Sequence, residues 1–466
     1  MNKNPQRHER IKSGIRNFDE LLFGGLPKGS VSVIGGTPGA GKTTMALQMC
    51  FQQATAGKKV IYFQTLSEPV PKTIKNMSAF DFFDPSQIDK KIFFCDLGGI
   101  MRSQGLATAS ASVVEQMKKV KPDFVVIDSF RVFEDLAGSD EELRKFTYEV
   151  AVNLMAWECT AFLLGEYNSK ELETNPLSSI VDGIILLTAG LEGEEFQRFI
   201  RIAKMRGTNH DQNRFPLSIS DKGIEVYPPR VTLRRGRLAE AGASGKSIRT
   251  KFAVPSLDKL LGPGIPLGSS VLVAGEAGVG KTTLLLEAIY RGAKDLGEKG
   301  IFFSFSDSTA SLLATAQSLG WDLEREIKRD LVEIHFVPMD TVLVESNLLM
   351  MKDRIVEFAP KRIAIDSVSI FLHKLESAIA MREKLYLVTT LIKESHALGL
   401  LSYDIPLGHQ RVTRFGVEEA LVDGVIVLSK NLEIIKLRST LHVRGPHALK
   451  IGKGGVSVGA AGKRKR

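Results

Sequence analysis

This chain is poor in several things. Only three of its 466 residues are cysteine, and all three (Cys50, Cys95 and Cys159) stand in the first half. An odd number at such wide spacing forms neither a disulfide framework nor a metal-ligand cluster, and predicts reduced core thiols. No apolar run approaches the roughly 18 residues of a membrane-crossing helix. The opening residues MNKNPQRHERIK hold no apolar stretch of the secretory kind. The expectation is a cytoplasmic protein without membrane contact. Zinc-ligand spacings, a helix-hairpin-helix module and an added N-terminal DNA-binding domain are missing too, which weighs against a nucleic-acid motor.

Acidic charge is in slight deficit, with 53 Asp and Glu against 62 Lys and Arg, for a net charge of +9. The excess is local. Residues 1–12 carry +3, Arg230–Lys251 carries +6 and Lys463–Arg466 carries +4, so the rest of the chain is −4. Such segments read as solvated tails and a linker; a weak, salt-sensitive polyanion contact is the sharper alternative. The 43% hydrophobic and 25% charged fractions are those of an ordinary globular protein.

What the chain does have is two copies of G-x-x-x-x-G-K-[ST], at Gly36–Thr43 and Gly275–Thr282, 239 residues apart. In such a loop, glycines let successive backbone N–H groups turn inward around phosphate oxygens. The lysine reaches the terminal phosphates and the hydroxyl ligates Mg²⁺. The loops nominate Thr37, Pro38, Gly39, Ala40, Gly41, Lys42, Thr43 and Thr44 in the first half. In the second they nominate Glu276, Ala277, Gly278, Val279, Gly280, Lys281, Thr282 and Thr283.

The duplication extends beyond the loops. IRNFDELLFGGLPKGSVSVIGG precedes the first, and VPSLDKLLGPGIPLGSSVLVAG the second. Short apolar runs ending in glycine feed each loop, and TTMALQMCFQQA and TTLLLEAIYRGA read as helices that face the phosphates with their N-termini. Strands at 59–64 and 300–305 follow, then a helical stretch and an acidic strand, DFVVIDS and RIAIDS. Helices at about 141–157 and 379–397 precede the strands TAFLLGEY and GLLSYDI. Each half closes on strand-like segments. This alternation predicts an α/β fold: two tandem P-loop NTPase domains, each a twisted, mostly parallel sheet with helices on both faces. The expected boundaries are 1–228 and 251–458 for the domains, 229–250 for a basic linker and 459–466 for a basic tail.

Asp128 and Asp366 end apolar strands 86 and 85 residues after Lys42 and Lys281. They fit the second Mg²⁺-organising carboxylate, with Thr43 and Thr282 coordinating directly. A strand-end carboxylate capping a turn is the bland alternative.

These loops, the IDS strand ends and the tandem duplication resemble the KaiC family within the RecA-type ATPases, over about residues 10–228 and 250–458. The phrase from Gly14 to Ser30 and the segment Lys204-Met-Arg206-Gly-Thr-Asn-His210 carry the likeness. The resemblance implies a homohexameric double ring. It also implies that Lys204, Arg206 and His210 complete a neighbour's first-domain site, and Lys436, Arg438 and His442 its second. In the second copy the glycine after Arg438 is missing. A RecA-type enzyme places a glutamate after the strand that follows the loop, to orient the attacking water. Here Glu68 is the first-half candidate, one or two residues late, and Asp307 the shorter second-half candidate. The alternative for Asp307 is turn capping.

Clock-type KaiC proteins phosphorylate their own adjacent Ser and Thr before a late strand of the second domain. This chain reads Glu418-Glu419-Ala420-Leu421-Val422-Asp423 there, without acceptor hydroxyls, while Ser178-Ser179 stand at the first-half counterpart. The leading expectation is therefore an ATP- and Mg²⁺-dependent ring ATPase that meets an unidentified regulatory protein. The alternatives are a DNA-acting RecA/RadA-type ATPase, a KaiC-type serine/threonine autokinase, and a scaffold in which ATP joins subunits.

Overall fold

A computed structural model of the chain describes residues 9–65, 68–192, 195–228, 248–337, 344–372, 375, 377–405, 413, 416 and 418–461. Most of the expected linker, the end of the basic tail and the first eight residues lie outside this set. The chain divides into two compact units, Met1–Pro228 and Pro229–Arg466.

The first unit is built on β1 (Val31–Gly36), α1 (Lys42–Thr55), β2 (Val60–Gln64), β3 (Ile92–Asp96), α2 (Gly98–Val120), β4 (Phe124–Asp128), α3 (Asp140–Ala156), β5 (Thr160–Gly165), β6 (Gly183–Glu192), β7 (Glu195–Met205), β8 (Arg214–Ser220) and β9 (Gly223–Val226). Its sheet runs β9-β8-β7-β6-β1-β5-β4-β2-β3. The six strands from β6 to β3 are parallel, and β7, β8 and β9 add on as antiparallel neighbours.

The second unit repeats this with β10 (Ser270–Gly275), α4 (Lys281–Leu296), β11 (Gly300–Ser304), β12 (Val332–Phe336), α5 (Val344–Phe358), β13 (Arg362–Asp366), α6 (Ala378–Glu394), β14 (Leu398–Asp404), β15 (Gly424–Leu428), β16 (Asn431–Leu437), β17 (Pro446–Gly452) and β18 (Gly455–Ala461). The order is the same, β18-β17-β16-β15-β10-β14-β13-β11-β12.

The central strands are predominantly apolar because both faces are covered. In the first unit Tyr62, Val126 and Phe162 pack with Leu47, Cys50 and Phe51 of α1 on one side. Ile61, Val125 and Leu163 point to the other side and join Met117 of α2 and Phe146 and Val150 of α3. The second unit does likewise, Phe302 and Leu400 lying with α4, and Ile301, Ile365 and Leu401 with α5 and α6.

The expected α/β fold class is thus observed, with three local corrections. β3 and β12 fall where the sequence reading had only a helical stretch. Both are sheet-edge strands and only partly buried, so they lack the apolar signature of their neighbours. Each unit also ends in a further hairpin, β8–β9 or β17–β18, that the reading did not separate. Cys50 and Cys159 are buried as expected, but Cys95 on edge strand β3 is only partly covered.

Candidate functional site

Both phosphate loops sit between a central strand and the helix that follows, at the carboxyl end of the parallel strands, where open α/β sheets take their ligands. Gly41 and Gly280 precede α1 and α4 at φ of +103° and +99°. A Cβ at either would meet the end of the Ile219 side chain of β8 or the Ile451 side chain of β17, and the left-handed backbone conformation is what calls for glycine there. The hairpins that bring these isoleucines in are tied to the helices by matching bonds. Ile224 N–H donates to Gln48 Oε1 at 2.8 Å, and Val456 N–H to Glu287 Oε2 at 2.6 Å.

The first loop borders a cavity of about 580 Å³. Of the expected residues, Pro38, Gly39, Gly41, Lys42, Thr43, Thr44, Glu68 and Asp128 line it; Thr37 and Ala40 do not. Ala40 is fully buried, and Thr37 Oγ1 accepts from the Ala189 amide at 3.1 Å. Lys42 Nζ donates to the carbonyls of Gly36 and Thr37, each at 3.0 Å. Burial lowers its pKa, opposed by the charges of Glu166 and Asp128.

Asp128 Oδ2 accepts from Thr43 Oγ1 at 2.8 Å and from Tyr62 OH at 2.6 Å. Burial pushes its carboxyl up, opposed by the Tyr62 and Thr43 hydroxyls and then by Lys42. A hydroxyl and a carboxylate this close form the oxygen set that Mg²⁺ takes beside nucleotide phosphates. Glu68 reaches the cavity from just beyond β2, accepting from Thr73 Oγ1 at 3.0 Å and Asn76 Nδ2 at 3.2 Å and pairing with Lys72 at 3.1 Å.

The second loop repeats the arrangement with other partners. Lys281 Nζ donates to the carbonyls of Gly275 and Glu276 at 2.9 and 2.7 Å. Asp366 is buried and accepts from the Ser402 hydroxyl on Oδ1; its Oδ2 has no hydrogen-bond partner among the described residues. Burial raises this carboxyl also, with the Ser402 and Thr282 hydroxyls opposing. An orphaned, buried carboxylate oxygen beside the loop threonine fits a metal's water shell. Asp307 sits in a turn, its carboxylate receiving Ser306 Oγ at 3.3 Å and Ser311 Oγ at 3.4 Å. The peptide bond following each strand-end aspartate, before Ser129 and Ser367, is cis.

The cations of the strand-end motif lie elsewhere. Lys204 Nζ donates to the carbonyls of Ser178 and Val181, both at 2.7 Å, and Arg206 to those of Ser179 at 2.9 Å and Ile180 at 3.4 Å. Lys436 and Arg438 do the same to Glu419, Val422 and Ala420. His210 and His442 each approach, through Nδ1, the carbonyl two residues earlier, at 3.5 and 3.3 Å. None of Lys204, Arg206 and His210 lines the first-loop cavity of its own chain.

The family described as "ATPase: KaiC" matches residues 11–231 and 250–463, nearly the whole chain in two tandem regions. The protein belongs to the KaiC family of ATPases. Among its relatives is the circadian clock oscillator protein KaiC of Picosynechococcus sp. (strain ATCC 27264 / PCC 7002 / PR-6), 26% identical over 474 residues, covering 97% of this chain and 89% of that protein. The circadian clock protein KaiC3 of Synechocystis sp. (strain ATCC 27184 / PCC 6803 / Kazusa) is 27% identical over 475 residues, covering 97% and 92%. The family match falls once on each half of the chain, so each loop is to be read against its twin.

That reading exposes residues the sequence analysis passed over. Gln64, Arg131, Asp135, Glu166 and Ile219 also line the first cavity. Glu166 stands one residue past β5, and Asp404 ends β14 at the matching place, opposite Gly275. The rule that nominated Asp128, a polar residue at the carboxyl end of a central strand, applies equally to both. Among the described residues no helix is long and apolar enough to cross a membrane, and no cluster of three or more His, Cys, Asp or Glu could hold a metal ion.

Proposed function

We propose that both loops bind ATP with Mg²⁺ and that the first half is the main hydrolytic site of a cytoplasmic, homohexameric ring. The observation that carries this is the convergence of Lys42, Thr43, Asp128 and Glu68 on one cavity. Lys42 draws the terminal phosphates to the loop, and Glu68 orients water toward them. Thr43 and Asp128 hold Mg²⁺ in the first site, Thr282 and Asp366 in the second. When bound, the ion neutralises charge that develops on the phosphates. Arg206 and Lys204, with His210, serve a neighbouring subunit's site, as Arg438, Lys436 and His442 serve the second. A cation supplied across a boundary makes turnover depend on assembly.

In this reading the domains are 1–228 and 251–458, joined by a basic linker at 229–250 and followed by a basic tail at 459–466. The output is regulatory, through assembly that follows nucleotide state and an unidentified protein partner. Clock-type autophosphorylation is disfavoured, since Glu419 and Ala420 stand where the acceptors are needed. DNA-directed work is disfavoured because the excess positive charge lies in the terminal segments and the linker.

The test measures ATP turnover and particle mass together, with and without Mg-ATP. Turnover that rises with ring formation is expected. Full turnover by a particle of monomer mass contradicts the shared site, and a ring without turnover leaves ATP as structural glue.

A further inference from the structure

The two loop lysines face different charges. Lys281 is 6% exposed, and its Nζ lies 2.9 Å from Asp404 Oδ1. The other oxygen of that carboxylate is held from behind, accepting from Ser369 Oγ at 2.7 Å and Ser367 Oγ at 2.9 Å. Ser369 Oγ in turn accepts from the Asp404 amide at 3.1 Å, closing a small ring of bonds that fixes the carboxylate toward the loop. In the first half the same place is taken by Glu166, which lines the cavity but forms no ion pair with Lys42 among the described residues. Arg131 stands where Ser369 does and donates instead to the Glu166 backbone carbonyl at 2.7 Å. The first half thus presents a cation hydrogen-bonded to neutral carbonyls with Glu166 acting on it at longer range, and the second a cation in direct contact with a carboxylate.

This difference bears on the third phosphate. The lysine of such a loop reaches the β- and γ-phosphates. A diphosphate leaves the far side of Lys281 to Asp404. A γ-phosphate has to share the lysine with that carboxylate and sit beside its negative charge. A like charge some 5 Å away at a partly buried site weakens binding by about tenfold or more.

We propose that Asp404 is a specificity-determining residue of the second site, acting through Lys281 to favour nucleoside diphosphate over triphosphate relative to the first site. The inference rests on the second loop being a nucleotide site.

The experiment uses the full-length chain carrying Lys42→Ala, so that the second loop dominates, and titrates fluorescent ADP and a fluorescent non-hydrolysable ATP analogue. Asp404→Asn should tighten the triphosphate about tenfold and change the diphosphate by less than about twofold. Asp404→Glu, which keeps the charge, should return the ratio toward that of the parent. Asp404→Ser is a second neutral variant that still offers Ser369 a hydrogen-bonding group, and the same shift is expected from it. Neutral variants that leave the ratio unchanged, or tighten both nucleotides equally, overturn the proposal. Adding Lys281→Ala separates the two levels. If it abolishes binding while the ratio ignores Asp404, only this inference falls. If binding survives Lys281→Ala, the second loop is not the site and both readings fall.

Discussion

Thr43 Oγ1 donates a 2.8 Å hydrogen bond to Asp128 Oδ2, joining the first turn of α1 to the end of a strand two places from β1 in the sheet. The buried carboxylate also takes the Tyr62 hydroxyl, and burial outweighs both bonds in raising its pKa. The folded chain therefore holds this proton more tightly than the unfolded one. Stability falls as pH rises from the unfolded value through the raised folded value, and the ionised form that Mg²⁺ needs appears only above it. Asp128→Asn should cut Mg-dependent turnover by about 100-fold or more, while melting at neutral pH at or above the parent's temperature. In the parent, acidification should weaken Mg²⁺ binding at a higher pH than an ordinary aspartate would. Mg²⁺ titrations and melting curves across pH check both, and a variant that melts well below the parent contradicts the desolvation argument.

The two loop lysines should not be equivalent. Lys42→Ala removes most ATP hydrolysis, because the first half carries Glu68 in its cavity and the complete K-x-R-G-T-x-H segment. Lys281→Ala mainly weakens assembly. Steady-state turnover and light scattering on the two single variants decide it; equal loss of turnover would sink the division.

Arg206 bonds to carbonyls of its own chain away from the first-loop cavity. Arg206→Ala should keep nucleotide binding and lose turnover. Mixed with Lys42→Ala it should regain part of the activity, since some interfaces then pair an intact loop with an intact Arg206. If the mixture co-assembles and stays as inactive as either parent, Arg206 does not work across a boundary.

Incubation with labelled ATP should leave no stoichiometric phosphate on residues 410–430, where Glu419 and Ala420 occupy the acceptor positions. Phosphopeptide mass spectrometry is the check. A phosphate at Thr413 would refute the expectation.

His447 is 1% exposed, and neither ring nitrogen has a hydrogen-bond partner among the described residues. Its counterpart on β8 is the buried Phe215. A buried polar group without a partner costs about 1–3 kcal/mol, so His447→Phe should stabilise the second unit by about 1–2 kcal/mol, read as a higher denaturation midpoint. A lower midpoint would mean that the imidazole has a partner outside the described residues.

Much of this was legible along the chain because its causes are local. A phosphate loop is a property of eight consecutive residues, and a strand buried on both faces announces itself by a short apolar run, as FVVI and IAI do before their aspartates. Repetition at a 239-residue offset then made two domains the natural division. Edge strands β3 and β12 escaped because partial burial blurs that signal. The hairpins carrying Ile219 and Ile451 escaped because nothing near those isoleucines in sequence points to a glycine more than 170 residues earlier. Strand order and register set Asp404 against Lys281, 123 residues away, and put Glu166 at the matching place in the first half. Periodicity and loop chemistry act over neighbouring residues. Which charges meet at the carboxyl end of a parallel sheet depends on which strands lie side by side, and only packing of the whole sheet decides that.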